Sequence, residues 1–241
     1  MTAHTIEFPI YDPYGMEEHK KISELSSLVN HIKGNTKIRT TFFRFVKDNP
    51  SLKSCDMWFI GEEYKDKLTQ IERRLLDSLR DLVNAANTKK YWSDKTEEEN
   101  FDILRGLALE VYVETCIQKR YSDVFCNCIV EINNEPFCHK KGAYPSTLDV
   151  VGWNSQGFDG ELYECKVSTY LLKNTSKGHE KLIFLNSLQM RLSAMKSNGN
   201  VAVASFENDF TLKKYLGKYN ITIVGYQKLL HIDEKRCGIV A

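Results

Sequence analysis

Hydrophobic residues in the first third of the chain recur at the spacing of α-helices. The pattern predicts helix over residues 17 to 46 with a break at 34 to 35, followed by a turn at 49 to 51. The longest helical stretch is expected over residues 62 to 86, where charged residues separate the members of one apolar stripe: Leu68, Ile71, Leu75, Leu79, Leu82 and Val83. Residues 1–95 are therefore predicted to be a helical region, for which target recognition and dimer contacts are both open roles.

Helical and strand patterns alternate in the rest of the chain. An amphipathic helix is expected at residues 99 to 118, and three strands follow it at 123 to 132, 147 to 153 and 161 to 168. Further elements alternate as helix, strand, helix and strand at 178 to 196, 200 to 206, 209 to 216 and 221 to 225. This order predicts an α/β domain over residues 96–241, with a mixed central sheet flanked by helices. The N-terminal helical region would be an extension of it.

Composition and charge are those of an ordinary globular protein. Hydrophobic residues make up 42% of the chain and charged residues 27%, which is enough to bury a core. The net charge is +1, so any binding of nucleic acid has to come from local patches. No apolar run suits a membrane span, and the N-terminus lacks the features of a signal peptide. An odd count of 7 cysteines then favours reduced thiols, and we expect a cytoplasmic protein.

Two carboxylates and a lysine stand out between residues 149 and 166. Side chains alternate along a strand, so Glu164 and Lys166 are expected to share a face of the third predicted strand. A hairpin loop at residues 154 to 160 would return Asp149 beside them on the neighbouring strand. Two adjacent carboxylates repel unless a cation lies between them, and Mg²⁺ prefers oxygen ligands. The pattern therefore predicts a magnesium site that can hold a phosphodiester.

The residues that carry this chemistry resemble the motif of the PD-(D/E)xK nuclease superfamily, which has the restriction-endonuclease-like fold: Asp149, Glu164-Cys165-Lys166, and Glu110 on the preceding helix. The resemblance implies Asp149 and Glu164 as ligands of a catalytic Mg²⁺, which Mn²⁺ can replace. It implies the backbone carbonyl of Cys165 as a further metal ligand and Lys166 as the catalytic lysine. Glu110 fits the helix acid that many members use to hold a metal or its water.

The resemblance covers residues 99 to 225, and the predicted order of elements there is similar to the core of the family. Leu148 stands where the family name places a proline. Charged residues two apart are also routine on half-buried sheets, so Glu164 and Lys166 alone would equally suit a solvated charge pair. Glu114 is an alternative to Glu110 as the helix acid.

A basic stretch follows the third predicted strand. Lys173, Lys177 and Lys181 recur every four residues and would align on a helix that starts early enough. Such a row can follow a phosphate backbone, although a solvated helix face is the alternative. Gln189 lies where a number of family members place a polar residue near the active site, and is the fourth candidate for nucleic-acid binding. Tyr170 is a candidate for stacking on nucleic acid, with core packing as the alternative.

The sequence therefore predicts a metal-dependent endonuclease that hydrolyses DNA, and the resemblance suggests a restriction, phage-defence or DNA-repair enzyme. DNA is the expected partner, RNA remains open, and no membrane partner is expected. A homodimer is suggested by family analogy alone. Two alternatives stay open: a non-catalytic module on the same fold that binds nucleic acid or a partner, and an RNA-cutting nuclease.

Overall fold

The structure is a computed structural model that describes residues 4–11, 22–32, 35–63, 68–140, 143, 145–156 and 158–234. The chain divides into two compact units, one formed by Glu18–Tyr112 and the other by Met1–Glu17 with Val113–Ala241. The division lies further along the chain than the boundary predicted after residue 95. It also assigns the first residues of the chain to the second unit.

Helices make up the described part of the unit Glu18–Tyr112. They are α1 (Ser23–Ile32), α2 (Thr36–Asp48), α3 (Leu52–Glu63), α4 (Gln70–Asn87) and the larger part of α5 (Glu97–Ile117). The side chain of Asn35 caps α2 by accepting hydrogen bonds from the backbone N–H groups of Lys37 and Ile38, at 3.0 and 3.2 Å. This cap accounts for the break predicted at residues 34 to 35. Residues 17–21, 33–34 and 64–67 of the predicted helices lie outside the described residues.

The helix predicted over residues 62 to 86 is wrong at its start. Glu63 ends α3, and α4 begins at Gln70 behind a capping box in which the side chains of Thr69 and Glu72 bind each other's backbone N–H. The apolar stripe of α4 is buried from Leu75 onward, whereas Ile71 is exposed. With 21 residues, α5 is longer than α4 with 18.

The second unit contains the strands of the described chain and the remaining helices. The strands are β1 (Ile6–Glu7), β2 (Asp123–Cys128), β3 (Glu131–Ile132), β4 (Glu135–Pro136), β5 (Leu148–Asn154), β6 (Asp159–Cys165), β7 (Asn198–Ala204) and β8 (Thr222–Val224). The helices are α6 (Tyr170–Asn174), α7 (Ser176–Ala194), α8 (Asp209–Leu216) and α9 (Tyr226–Leu229). From β5 to β8 the predicted strands and helices occur in the predicted order, and α8 has its predicted bounds. The strand predicted over residues 161 to 168 is wrong at its end, because β6 ends at Cys165, and α6 and α9 were not predicted.

Five strands form a mixed sheet in the order β2-β5-β6-β7-β8. Strands β2, β5 and β6 are antiparallel neighbours, whereas β6, β7 and β8 run parallel. The predicted mixed sheet is therefore confirmed. A second, antiparallel sheet has the order β1-β3-β4, so the N-terminal residues of β1 form a strand rather than part of a helical region.

The single strand predicted over residues 123 to 132 is wrong, because the chain changes sheets within it. Asn127 has a φ of 44°, in the left-handed region that asparagine tolerates better than most residues. One residue later β2 ends, and after Ile129 and Val130 the chain continues as β3 in the smaller sheet. Alternation of apolar residues does not reveal such a change, since both strands keep the same pattern.

Helix α7 packs its apolar side on one face of the mixed sheet. The core there combines residues of α7 with residues of β5, β6 and β7: Leu182, Leu185, Leu188, Leu192, Val151, Leu162, Val201 and Val203. Each such side chain contributes about 1.5–3 kcal/mol when fully buried. This packing fixes α7 against the strands that carry the acidic residues. None of the helices in the described ranges combines the length and apolar character that crossing a bilayer requires.

Candidate active site

Asp149 and Glu164 face each other across the hairpin of β5 and β6. The register pairs Val150 with Tyr163, and one step further along the two strands brings Asp149 opposite Glu164. Directly opposed side chains of an antiparallel pair share a face, with Cβ atoms roughly 5 Å apart. The hairpin predicted at residues 154 to 160 thus places two acidic side chains next to each other. Residue 157 of its loop lies outside the described residues.

The ammonium group of Lys166 lies among three oxygen atoms. Its Nζ is 2.7 Å from Oε1 of Glu164, 3.2 Å from Oδ2 of Asp149 and 3.0 Å from the carbonyl oxygen of Cys165. Strand β6 ends at Cys165, and the backbone N–H of Lys166 donates to the carbonyl of Ala204 at 2.9 Å. The three oxygens that the family resemblance implies as metal ligands therefore converge on one positive charge.

A second lysine reaches the same cluster from α7. Nζ of Lys181 is 2.7 Å from Oε2 of Glu164 and also donates to the carbonyl of Thr147. Each carboxylate oxygen of Glu164, a residue only 2% exposed, is thus paired with a different lysine. The sequence predicts Lys181 only as part of a basic helix face. Its place at the acids depends on how α7 packs on the sheet, which no sequence spacing reveals.

The charges of the cluster compensate one another. Burial acts to raise the pKa of Asp149, but the ammonium groups of Lys166 and Lys181 and the backbone N–H of Cys165 hold that pKa below its ordinary value. The Cys165 N–H donates to Oδ2 of Asp149 at 2.7 Å. Asp149 is therefore ionised at neutral pH, and two carboxylates stand against two ammonium groups. Buried charges that lack such partners would be strongly unfavourable.

The donor set suits a hard divalent cation. No group of three or more His, Cys, Asp or Glu side chains that could hold a metal occurs within the described ranges. Asp149 and Glu164 supply two carboxylates, and the Cys165 carbonyl supplies a third oxygen directed at the same point. Mg²⁺ usually keeps several waters and needs only one or two protein carboxylates, so these three oxygens fit it.

The helix acid remains a choice between two residues of α5. Glu110 is half-buried and belongs to the unit Glu18–Tyr112. Glu114 is also half-buried, belongs to the same unit as Asp149 and Glu164, and accepts a hydrogen bond from Nε2 of Gln118 at 3.1 Å. The assignment of Glu110 as a metal ligand therefore stays a prediction.

The helix that carries Lys177 and Lys181 does not start early enough to align Lys173 with them. Helix α6 ends at Asn174, and α7 starts behind Thr175, whose side chain accepts a hydrogen bond from the N–H of Gly178 at 3.0 Å. Lys173 therefore lies on α6, with its Nζ 3.7 Å from the ring centroid of Tyr215. Lys177, which is exposed, lies one turn before Lys181 on α7. Their part in nucleic-acid binding stays a prediction.

The side-chain amide of Gln189 makes two hydrogen bonds to backbone groups of β7. Its Oε1 accepts from the backbone N–H of Val201 at 2.6 Å, and its Nε2 donates to the carbonyl of Gly199 at 3.2 Å. Strand β8 pairs with β7 only from Ala202 onward, so the side chain binds β7 backbone groups just before that pairing begins. A role in nucleic-acid binding would have to coexist with these bonds.

A further carboxylate lies where β7 ends, and the motif did not predict it. Glu207 accepts a hydrogen bond from Oγ of Ser168 at 3.1 Å and another from Oγ1 of the buried Thr169. Parallel strands β6 and β7 end at the same edge of the sheet, which is where open α/β sheets bind ligands. The only feature of the sequence that could have indicated Glu207 is an acidic residue directly after a predicted buried strand.

Comparisons with known proteins do not add to these observations. No protein-family model matches the chain, and no curated protein matches it either. The function of the site has to be inferred from its own geometry, in which the paired carboxylates and the two lysines are the most specific chemical feature.

Proposed function

We propose that this protein is a metal-dependent nuclease that hydrolyses phosphodiester bonds, with DNA as its expected substrate. The observation that carries the proposal is the convergence of Oδ2 of Asp149, Oε1 of Glu164 and the Cys165 carbonyl on one cationic group. A buried acidic pair at the edge of a mixed sheet has little structural value by itself, because like charges opposed across a strand pair are destabilising.

The restriction-endonuclease-like fold is part of this proposal. Two features support it: a mixed five-stranded sheet, and an acidic pair on its adjacent antiparallel strands β5 and β6. Helix α5 precedes these strands in the chain and α7 follows them, as the resemblance to the nuclease family implies. A restriction, phage-defence or repair role and a homodimeric assembly remain suggestions of that resemblance.

Each residue of the cluster has a role in the proposed reaction. Asp149, Glu164 and the Cys165 carbonyl would hold Mg²⁺, with a glutamate of α5 as a further candidate. The bound metal would lower the pKa of a water and offset negative charge on the phosphate. Lys166, no longer needed as the counterion of the acids, can donate to a phosphate oxygen or orient the attacking water. Lys181 orients the carboxylate of Glu164 through its contact with Oε2, which makes it a positioning residue.

A second candidate function is a non-catalytic module that binds nucleic acid or a protein partner. One observation favours it: both carboxylates are already paired with lysines, so the cluster is balanced without a divalent cation. Carboxylates that are paired with lysines are what we would expect in a nuclease-like site that no longer binds a metal. The two candidates differ in whether the purified protein breaks phosphodiester bonds.

The test is cleavage of plasmid DNA, single-stranded DNA and RNA in the presence of Mg²⁺, Mn²⁺ or EDTA. We expect cleavage with metal, none in EDTA, and a loss of about 100-fold or more in Asp149→Ala and in Lys166→Ala. Lys119→Ala, at an exposed position of the same unit, is the matched control and should cleave normally. Unchanged cleavage in both site variants would reject the site, and no cleavage of any substrate would favour the binding module.

A further inference from the structure

Helices α6 and α8 expose aromatic rings at the surface. Tyr170 of α6 is 61% exposed, so the alternative of core packing is wrong for this residue. On α8, Phe210 is 81% and Tyr215 36% exposed. Clustered exposed aromatic side chains commonly mark interaction sites in soluble proteins.

Lysines are interleaved with these rings. Nζ of Lys173 is 3.7 Å from the ring centroid of Tyr215 and 5.9 Å from that of Tyr170, so one ammonium group joins rings from two helices. Nζ of Lys214 is 5.6 Å from the Tyr215 ring centroid. Such cation–π contacts orient the rings and keep a positive charge beside them.

One further lysine–ring contact follows α8, where Lys218 is exposed. Nζ of Lys218 is 5.1 Å from the ring centroid of Tyr219, and the Tyr219 hydroxyl is 3.3 Å from Nδ1 of His179. Residues 209 to 219 carry only one acidic residue, Asp209, beside three lysines. Tyr219 itself is half-buried and packs against the hydrophobic core, so we define the tyrosine–lysine surface by the other members: Tyr170, Lys173, Lys214, Tyr215 and Lys218.

The tyrosine–lysine surface begins close to the acidic cluster. Tyr170 follows Lys166 by four residues, and an extended chain spans at most about 3.6 Å per residue, which keeps their Cα atoms within roughly 14 Å. The backbone N–H of Tyr170 donates to Oγ of Ser168 at 3.2 Å, which ties the start of α6 to the exit of β6. The Tyr170 end of this surface therefore lies near Lys166.

We propose that the tyrosine–lysine surface binds a single-stranded polynucleotide, with bases stacked on its tyrosines and phosphates beside its lysines. Alternating rings and cations match the alternating bases and phosphates of a single strand. Bases in a duplex are stacked on one another and do not offer their faces to protein rings. If the protein is the nuclease proposed above, this surface identifies its substrate as single-stranded DNA or RNA; that part of the inference rests on the proposed function.

Binding is tested by fluorescence anisotropy in EDTA, with a labelled single-stranded DNA, an RNA of the same sequence and the corresponding DNA duplex. The double variant Tyr170→Ala, Tyr215→Ala should lose about tenfold or more in affinity for a single strand, whereas Tyr170→Phe with Tyr215→Phe should keep most of it. Tyr11→Ala is the matched control, because Tyr11 is 53% exposed in the same unit. Circular dichroism verifies that each variant is folded, and the DNA and RNA probes show which polynucleotide is preferred.

The outcomes separate this inference from the proposed nuclease function, because EDTA prevents metal-dependent cleavage during the binding measurement. Unchanged single-strand affinity in the alanine double variant, or equal affinity of the wild type for duplex and single strand, would overturn the inference even if the protein cleaves DNA. Preferential binding of the single strand by the wild type, lost in the alanine double variant, would support the proposed binding surface. If the protein then cleaved nothing with any metal, only the proposed nuclease function would be rejected.

Discussion

Nζ of Lys181 on α7 lies 2.7 Å from Oε2 of Glu164 on β6, while Lys166 pairs with the other oxygen of the same carboxylate. This relationship makes α7 part of the candidate site rather than only a neighbouring helix. It also accounts for the presence of a buried glutamate directly opposite an aspartate, since a cation is available to each oxygen of Glu164.

Replacement of Lys181 tests how far the cluster depends on this second ammonium group. We expect Lys181→Met to lower the free energy of unfolding by about 2 kcal/mol, because a buried carboxylate loses one of its two counterions. Urea unfolding followed by circular dichroism measures the change. Lys177→Met, one turn earlier and exposed on α7, should change stability by less than about 0.5 kcal/mol. Equal effects in the two variants would contradict the role given to Lys181.

Acid stability tests the capping box of α4 in the other unit. Hydrogen bonds from Lys37 and from the side chain and backbone of Thr69 lower the pKa of Glu72 to about 2. A depressed carboxyl pKa contributes stability that is complete above the unfolded pKa of 4.5 and is lost as the pH falls toward 2. Glu72→Gln should therefore be less stable than wild type at neutral pH and should lose less stability on acidification.

Unfolding by urea between neutral and acidic pH measures this difference. Glu97→Gln is a suitable control, since Glu97 is an exposed glutamate in the first turn of α5. If Glu72→Gln and wild type lose stability in parallel as the pH falls, the capping box does not hold the Glu72 carboxylate as the structure indicates.

Gln189 is predicted to stabilise β7. Gln189→Ala would leave the N–H of Val201 and the carbonyl of Gly199 without their side-chain partner, at a cost of about 1–3 kcal/mol. The loss is measured by urea unfolding, with Ser187→Ala on the same helix as the control. A folded Gln189→Ala protein with wild-type stability would show that these bonds contribute little. Weaker binding of a polynucleotide by that folded variant would instead support the nucleic-acid role predicted from the family resemblance.

Local patterns were sufficient to predict most elements of the second unit. Alternating apolar residues and a polar loop predicted the hairpin of β5 and β6, and Asn208 with an apolar helical pattern behind it marks the start of α8, where the side chain caps Thr211. These features depend on neighbours in the chain. The pairing of Asp149 with Glu164 follows from the same hairpin, which is why this part of the site was accessible from sequence.

Contacts between distant segments were not predictable in this way. The approach of Lys181 to Glu164 requires the packing of α7 on the sheet, and the break between α6 and α7 occurs where Gly178 lies close to the backbone of Leu171 and Leu172. A Cβ atom on Gly178 would come within 2.1 Å of the Leu171 carbonyl oxygen, so glycine is required there. Neither the packing nor the close approach has a signature in hydrophobic spacing.

Binding of Mn²⁺ to wild type, Asp149→Asn and Lys166→Ala tests the central claim most directly. Because the ammonium group of Lys166 occupies the point where three oxygens converge, its removal should strengthen Mn²⁺ binding by about tenfold, or roughly 1.4 kcal/mol, even though cleavage is lost. Asp149→Asn should weaken binding by a similar factor, and Lys119→Ala should leave it unchanged. Isothermal titration calorimetry that finds one affinity for all four proteins, or no Mn²⁺ binding to any of them, would contradict the assignment of this cluster as a metal site.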